Sequence, residues 1–211
     1  MLLPLQTPLL FPLAYLLGSI PFGLLLAKLF GGTDVRAAGS GNIGATNVAR
    51  VAGPLPGILT LALDAGKGWL AVWLANRMTQ DNAAVTVVCA ILVLLGHCFP
   101  LWLRFRGGKG VATSAGIFAA LCPEALLAAV IVFALVVWFW RFVSLGSIAA
   151  AASIPLLVYL LWAPHFAPPP IVDIGTIAIA ALVIYQHRGN IGRLARGEEP
   201  KFSFGKKQDA A

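Results

Sequence analysis

Ser40, Asn42, Thr46 and Asn47 stand among three glycines, Gly39, Gly41 and Gly44, with Arg36 and Arg50 on either side. Hydrogen-bonding side chains, amides with no Cβ to shield them and two guanidinium groups suit one task, holding an anion such as phosphate. Successive glycine amides can form a nest around phosphate oxygens. Each charge-assisted bond from an arginine contributes roughly 1.5–3 kcal/mol once desolvated. A second group, Gly107-Gly108-Lys109-Gly110, follows His97 and Pro100 and precedes a short apolar segment. If that segment is helical, Lys109 and the glycine amides sit at its N-terminus, where phosphate is favoured. The third group is His187, Asn190, Arg193 and Glu199. If a helix continues past residue 186, His187 and Asn190 share a face at i and i+3.

Two familiar nucleotide motifs are excluded. Gly39 to Gly44 fits G-x-G-x-x-G letter for letter, and Asp64 lies 20 residues beyond Gly44. A dinucleotide site needs a preceding strand, however, and here the preceding segment is a membrane helix. The Gly107–Gly110 run lacks the first glycine, the spacing and the Ser/Thr after lysine that define a P-loop. Cys89, Cys98 and Cys122 are odd in number, have no C-x-x-C spacing and fall in apolar runs. They read as packing residues, so neither a disulfide framework nor a metal site is expected.

The elements that must carry these groups are membrane helices. Hydrophobic residues make up 59% of the 211 and charged residues only 11%, with a mean hydropathy of +0.88. A soluble domain carries about 25% charged residues. Apolar spans are expected over 4–29, 54–76, 83–103, 125–140, 144–163 and 170–186, with a shorter one over 111–122. Met1 to Phe30 reads as a retained first span, since the first charge is Lys28 and a signal peptide begins with a basic region.

If 111–122 crosses, Lys28, Arg36, Arg50, Arg104, Arg106, Lys109, Arg141, Arg188, Arg193, Arg196, Lys201, Lys206 and Lys207 share one side, thirteen of 15 cations. The positive-inside rule favours that arrangement. The expected fold is therefore an all-α integral membrane protein, a single domain over 1–211. It has seven transmembrane helices, one of them short, with the N-terminus periplasmic and the C-terminus cytoplasmic. All three polar groups then face the cytoplasm.

The net charge of +7 is accounted for by orientation, and no nucleic-acid partner is implied. Gly18, Pro21 and Gly23 interrupt the first span, and Pro54, Pro56 and Gly57 open the second. Inside that second span, Asp64 and Lys67 are expected to pair, because each costs about 2.5–3.5 kcal/mol unpaired at mid-bilayer. Arg104 and Arg106 read as orientation charges, His165 as an interfacial loop residue and the Trp and Phe residues as belt and lipid-facing positions.

Taken together, the groups resemble the bacterial acyl-phosphate:glycerol-3-phosphate acyltransferase family, the PlsY type. Its G-S-G-N-x-G-A-x-N is matched by Gly39 to Asn47. Its G-H-x-x-P-x-x-x-x-F-x-G-G-K-G is matched by Gly96, His97, Pro100, Phe105 and Gly107 to Gly110. Its H-x-x-N-x-x-R-L-x-x-G-x-E is matched by His187, Asn190, Arg193, Leu194, Gly197 and Glu199. The resemblance runs from Gly18-Ser19-Ile20-Pro21 to Glu199. It implies a multi-pass enzyme of the bacterial cytoplasmic membrane, with its site facing the cytoplasm. The reaction implied is acylation of the sn-1 hydroxyl of glycerol 3-phosphate, giving 1-acylglycerol 3-phosphate and phosphate.

The implied partners are acyl phosphate, glycerol 3-phosphate and membrane lipid, with no cofactor and no metal. A monomer is compatible with the sequence. Two phosphate-bearing substrates fit two glycine-rich anion sites. None of His97, His165 and His187 has Asp five positions on, which disfavours the H-x-x-x-x-D chemistry of thioester-using acyltransferases. The expected catalytic set is Ser40, Lys109, His187 and Asn190, with Arg50 also holding phosphate and Asp64, Lys67, His97 and Glu199 in support. The competing reading is a transporter for a phosphorylated metabolite, which should show a polar midplane site and repeat symmetry.

Overall fold

A computed structural model describes residues 7–162 and 168–202. His165, Lys206 and Lys207 lie outside the described residues. Among the described residues ten α-helices follow one another and no strand occurs. They are α1 (Thr7–Gly18), α2 (Phe22–Gly31), α3 (Ala45–Ala52), α4 (Pro54–Thr79), α5 (Ala83–Cys98), α6 (Val111–Leu121), α7 (Pro123–Trp140), α8 (Val143–Leu161), α9 (Pro170–Gln186) and α10 (Arg188–Ala195).

Local chemistry explains most of these boundaries. Prolines 54, 123 and 170 open α4, α7 and α9 at the first turn, where a missing N–H costs nothing. The Asn82 side chain caps α5 by accepting from the Val85 N–H at 3.2 Å. The first span is broken rather than continuous: α1 and α2 are separated by Ser19, Ile20 and Pro21. Pro21 has no N–H to give the ladder, and the Ser19 hydroxyl donates to the Tyr15 carbonyl at 2.9 Å.

Among the described residues five helical stretches are long and apolar enough to cross a membrane, counting α1–α2 as one, and a sixth is counted if α9 and α10, bent by 56°, form one span. Helix α6 is apolar but has only 11 residues. Among the described residues each of the seven expected segments is largely helical, the first as the broken pair α1 and α2. Their packing relies on small residues that let backbones approach, as in other membrane bundles. Gly18 lies against the backbone of Val93 and Gly96 against the Tyr15 carbonyl, joining α1 to α5. Gly68 meets the Thr113 carbonyl and Gly116 the Ala65 carbonyl, joining α4 to α6. Gly23 and Gly57 are likewise closed against Ile43 and Ala49.

The outer surface is greasy. Leu127, Trp138 and Phe139 of α7 are 65, 78 and 70% exposed, while only Ala125 and Ala129 of that helix are buried. Such a face is stable against lipid tails and costly in water. The chain is a multi-pass membrane protein.

Candidate active site

The three polar groups converge. The loop between α2 and α3, the α5–α6 connection and the α9–α10 corner line one open cavity of about 400 Å³. Ser40, Gly41 and Asn42 come from the first group, Gly107, Gly108 and Lys109 from the second, and Asn190 and Arg193 from the third. Four lining side chains are cationic, Arg106, Lys109, Arg188 and Arg193, and no carboxylate joins them. A cavity with that lining attracts anions.

Asn47 organises the first loop. It is buried, its Nδ2 donates to the carbonyls of Val35, Ala38 and Asn42 at 3.0, 3.1 and 2.9 Å, and its Oδ1 accepts from the Ser40 N–H at 2.8 Å. The Gly44 N–H goes to Asn42 Oδ1 at 2.8 Å and the Gly41 N–H to the Ala38 carbonyl at 3.1 Å. The amide nest expected here is therefore closed on itself at residues 40, 41 and 44. Asn47 shapes the loop rather than facing the cavity. Gly39 at φ +60 sits so close to the Asn47 side chain that a Cβ would displace it.

Arg36 is also turned to another use. Its Nε and Nη2 grip the Asp34 carboxylate at 3.0 and 2.6 Å, and that bond holds the Asp34 carboxyl down at about 2. Arg36, Thr46, Arg50, Gly110 and His187 do not line the cavity. Arg50 still acts on Lys109 electrostatically.

In the second group, the Gly107 N–H donates to the Cys98 carbonyl at 3.0 Å and the Gly108 N–H to the His97 carbonyl at 3.1 Å. Those amides finish the end of α5 and are not free for a ligand. Gly110, at φ +83, turns the chain into α6, and a Cβ there would strike Leu94. What reaches the cavity is Lys109 itself. Burial pulls its pKa below the ordinary lysine value, helped by the positive charges of Arg193 and Arg50 and opposed by Glu199.

The third group forms a relay behind Lys109. Its Nζ donates to Asn190 Oδ1 at 2.5 Å, and Asn190 Nδ2 donates to Glu199 Oε1 at 2.6 Å. Ser144 Oγ donates to the same oxygen at 2.6 Å, and Arg193 Nε to Glu199 Oε2 at 2.7 Å. Burial works against ionising Glu199, but the bonds from Ser144, Asn190 and Arg193 outweigh it and lower its pKa. The helix does not run straight through this group: it breaks at His187, the last cap of α9. His187 Nδ1 lies 2.8 Å from the Val183 carbonyl. A carbonyl only accepts, so Nδ1 carries the proton and Nε2 is the acceptor of the neutral ring.

Several lining or supporting residues had no sequence signal. Arg106, read as an orientation charge, lines the cavity, whereas Arg104 does not. Phe99 and Gln186 also line it, as does Phe105 of the second motif. Ser144 reaches Glu199 from α8, 55 positions away in sequence. Asp64 and Lys67 pair as expected, at 2.8 Å. His97 lies beside them and outside the cavity lining.

The family model described as Glycerol-3-phosphate acyltransferase matches residues 8–197. The chain belongs to the glycerol-3-phosphate acyltransferase family. Among the relatives of this acyltransferase chain, the glycerol-3-phosphate acyltransferase of Syntrophotalea carbinolica is 50% identical over 189 residues, covering 90% of this chain and 94% of the relative. That of Trichlorobacter lovleyi is 51% identical over 189 residues, with the same coverage of both. A crystal structure of PlsY (YgiH), an integral membrane glycerol 3-phosphate acyltransferase in its glycerol 3-phosphate form, superposes with a TM-score of 0.87. The two share 39% identity over 94% of this chain and 96% of that one. The same protein in its lysophosphatidic acid form superposes with a TM-score of 0.85. The family expected from the three motifs is the family found.

Proposed function

We propose that this chain transfers an acyl group from acyl phosphate to the sn-1 hydroxyl of glycerol 3-phosphate, releasing 1-acylglycerol 3-phosphate and inorganic phosphate. The observation that carries the reading is the cavity lined by Arg106, Lys109, Arg188 and Arg193 with no lining carboxylate. Acceptor and donor each bring a phosphate, and the cations Arg106, Lys109 and Arg188 can neutralise them, with Arg193 already paired to Glu199. Phe99 and Phe105 give the same cavity an apolar wall for the first carbons of an acyl chain. The relatives named above act on, or are captured with, the acceptor and the product of this reaction.

The hydroxyl oxygen attacks the acyl carbonyl carbon, and the tetrahedral intermediate collapses with loss of the carbon–oxygen bond to phosphate. An acyl phosphate is already a mixed anhydride, so no acyl-enzyme is needed. The protein orients the hydroxyl and stabilises charge on the departing phosphate. Lys109, held by Asn190, points to that charge, Ser40 offers a hydroxyl from the facing loop, and His187 steadies the corner that carries Asn190. The phosphate oxygen, fixed beside the carbonyl under attack, takes the hydroxyl proton, and inorganic phosphate leaves with it.

The enzyme is one domain of seven spans, the short α6 included, with its N-terminus periplasmic. Its C-terminus and cavity face the cytoplasm of a bacterial inner membrane. A transporter would present an open polar site at midplane. Asp64 and Lys67, the charges placed there, are at most 4% exposed in their side chains and paired with each other.

The test is acyl transfer to labelled glycerol 3-phosphate by purified protein, given acyl phosphate or thioester donors in parallel. Transfer from acyl phosphate alone is expected. Transfer only from thioesters, or none from either donor, would overturn the assignment.

A further inference from the structure

A charged cluster lies inside the apolar bundle, and the reaction outlined above leaves it without a role. Lys67 Nζ is 2.8 Å from Asp64 Oδ1 and donates to the Ile20 carbonyl at 3.0 Å, at the break between α1 and α2. The Phe22 ring lies 5.6 Å from the same ammonium. His97 Nδ1, buried and without a hydrogen-bond partner, lies 3.5 Å from Asp64 Oδ1, long for a hydrogen bond. All three side chains are at most 4% exposed.

The cluster touches the second glycine group through His97. The His97 carbonyl accepts the Gly108 N–H, and the His97 ring fills the space a Cβ on Gly108 would need. Contacts therefore run from the broken first span through Lys67, Asp64, His97 and Gly108 to Lys109. A buried ion pair is poor value as glue, since apolar residues of the same shape often stabilise a fold as well or better.

We propose that Asp64, Lys67 and His97 are positioning residues for the acyl-transfer reaction. The cluster clamps the break in the first span to the seat of Gly107 and Gly108, and so aims Lys109 into the cavity. None of the three lines that cavity. The proposal rests on the acyltransferase reading for its activity measurement only.

The test is the neutral pair Asp64→Asn with Lys67→Met, which leaves no lone buried charge. Expected are thermal stability in detergent close to that of the parent and kcat/KM for acyl transfer lower by about tenfold or more. Faster deuterium exchange at the Gly107 and Gly108 amides should accompany this loss. Parent-like kcat/KM with parent-like exchange would overturn the proposal. So would an activity loss accompanied by faster exchange throughout the bundle, which marks a role in the fold alone. His97→Gln decides the same question should the pair fail to accumulate in the membrane, with the same expected loss and the same local exchange. If the parent itself transferred no acyl group, the functional reading would fall, while the exchange measurement would still decide whether the cluster seats the loop.

Discussion

Lys109 and Asn190 are 81 positions apart in sequence, yet the ammonium donates to the amide oxygen at 2.5 Å. Asn190 is in turn held by Glu199 at 2.6 Å. A lysine side chain is long and loses much rotamer freedom when ordered. The Asn190–Glu199 relay meets that cost before a ligand arrives, so the cation waits in place.

Lys109→Ala should lower kcat/KM for acyl transfer by about tenfold to a few hundredfold, the worth of one charge-assisted bond of roughly 1.5–3 kcal/mol. Arg104→Ala should change it less than about threefold, since that side chain does not line the cavity. Arg106→Ala should fall between them. Purified variants compared in one assay decide the order, and equal losses for Lys109 and Arg104 would contradict the geometry.

Alkaline pH should act through Lys109. Its pKa lies below the ordinary 10.5 because of burial and the nearby Arg193 and Arg50 charges. In the proposed reaction the protonated form grips substrate phosphate, so kcat/KM should begin to fall before pH 10.5. Glu199 raises the Lys109 pKa, and Glu199→Gln should move the alkaline limb to lower pH. A limb that stayed in place in that variant would show that another group sets it.

Acid should loosen the α10 corner. The folded-state pKa of Glu199 is lowered from 4.5, so its contribution to stability is present above the unfolded-state value. That contribution is lost as pH falls through the lowered folded value. Melting temperature measured downward from pH 6 should drop below about pH 4.5 in the parent, and less steeply in Glu199→Gln. Parallel curves for the two proteins would remove Glu199 from the account.

Orientation can be read with tags. A reporter at the C-terminus and one in the α7–α8 turn at Arg141 should both be cytoplasmic, and one after Arg77 should be external. An external reporter at Arg141 would mean that α6 turns back instead of crossing.

Much of this was legible in the chain because membrane helices are written in length and punctuation. The expected span 54–76 became α4, Pro54–Thr79, and 144–163 became α8, Val143–Leu161. Pro54 opens α4, and apolar length accounts for the rest. The three polar groups also met as expected.

Which atoms would face the ligand was less legible. The glycine amides at 41, 44, 107 and 108 looked free in sequence, yet each is used within the fold. Residues 104 and 105 both have positive φ, 52° and 62°, and that turn separates Arg106 in the cavity from Arg104 outside it. No pattern of spacing announces such a turn. Ser144 was hidden for another reason, since it sits in an apolar helix and finds Glu199 only after the tail folds back. There the Phe202 N–H donates to the Arg141 carbonyl at 2.6 Å.

The 11 residues of α6 span only about 16 Å at 1.5 Å each, roughly half of a hydrocarbon core of about 30 Å. On the proposed seven-span reading, with Cys122 and Pro123 at the far boundary, Lys109 at the near end of α6 would be recessed below the headgroup plane. A donor lying in the leaflet can then bring its carbonyl to the lysine without lifting its tail out of the oil. In the proposed reaction the product would then form already embedded and depart sideways, by lateral diffusion in the leaflet it joins.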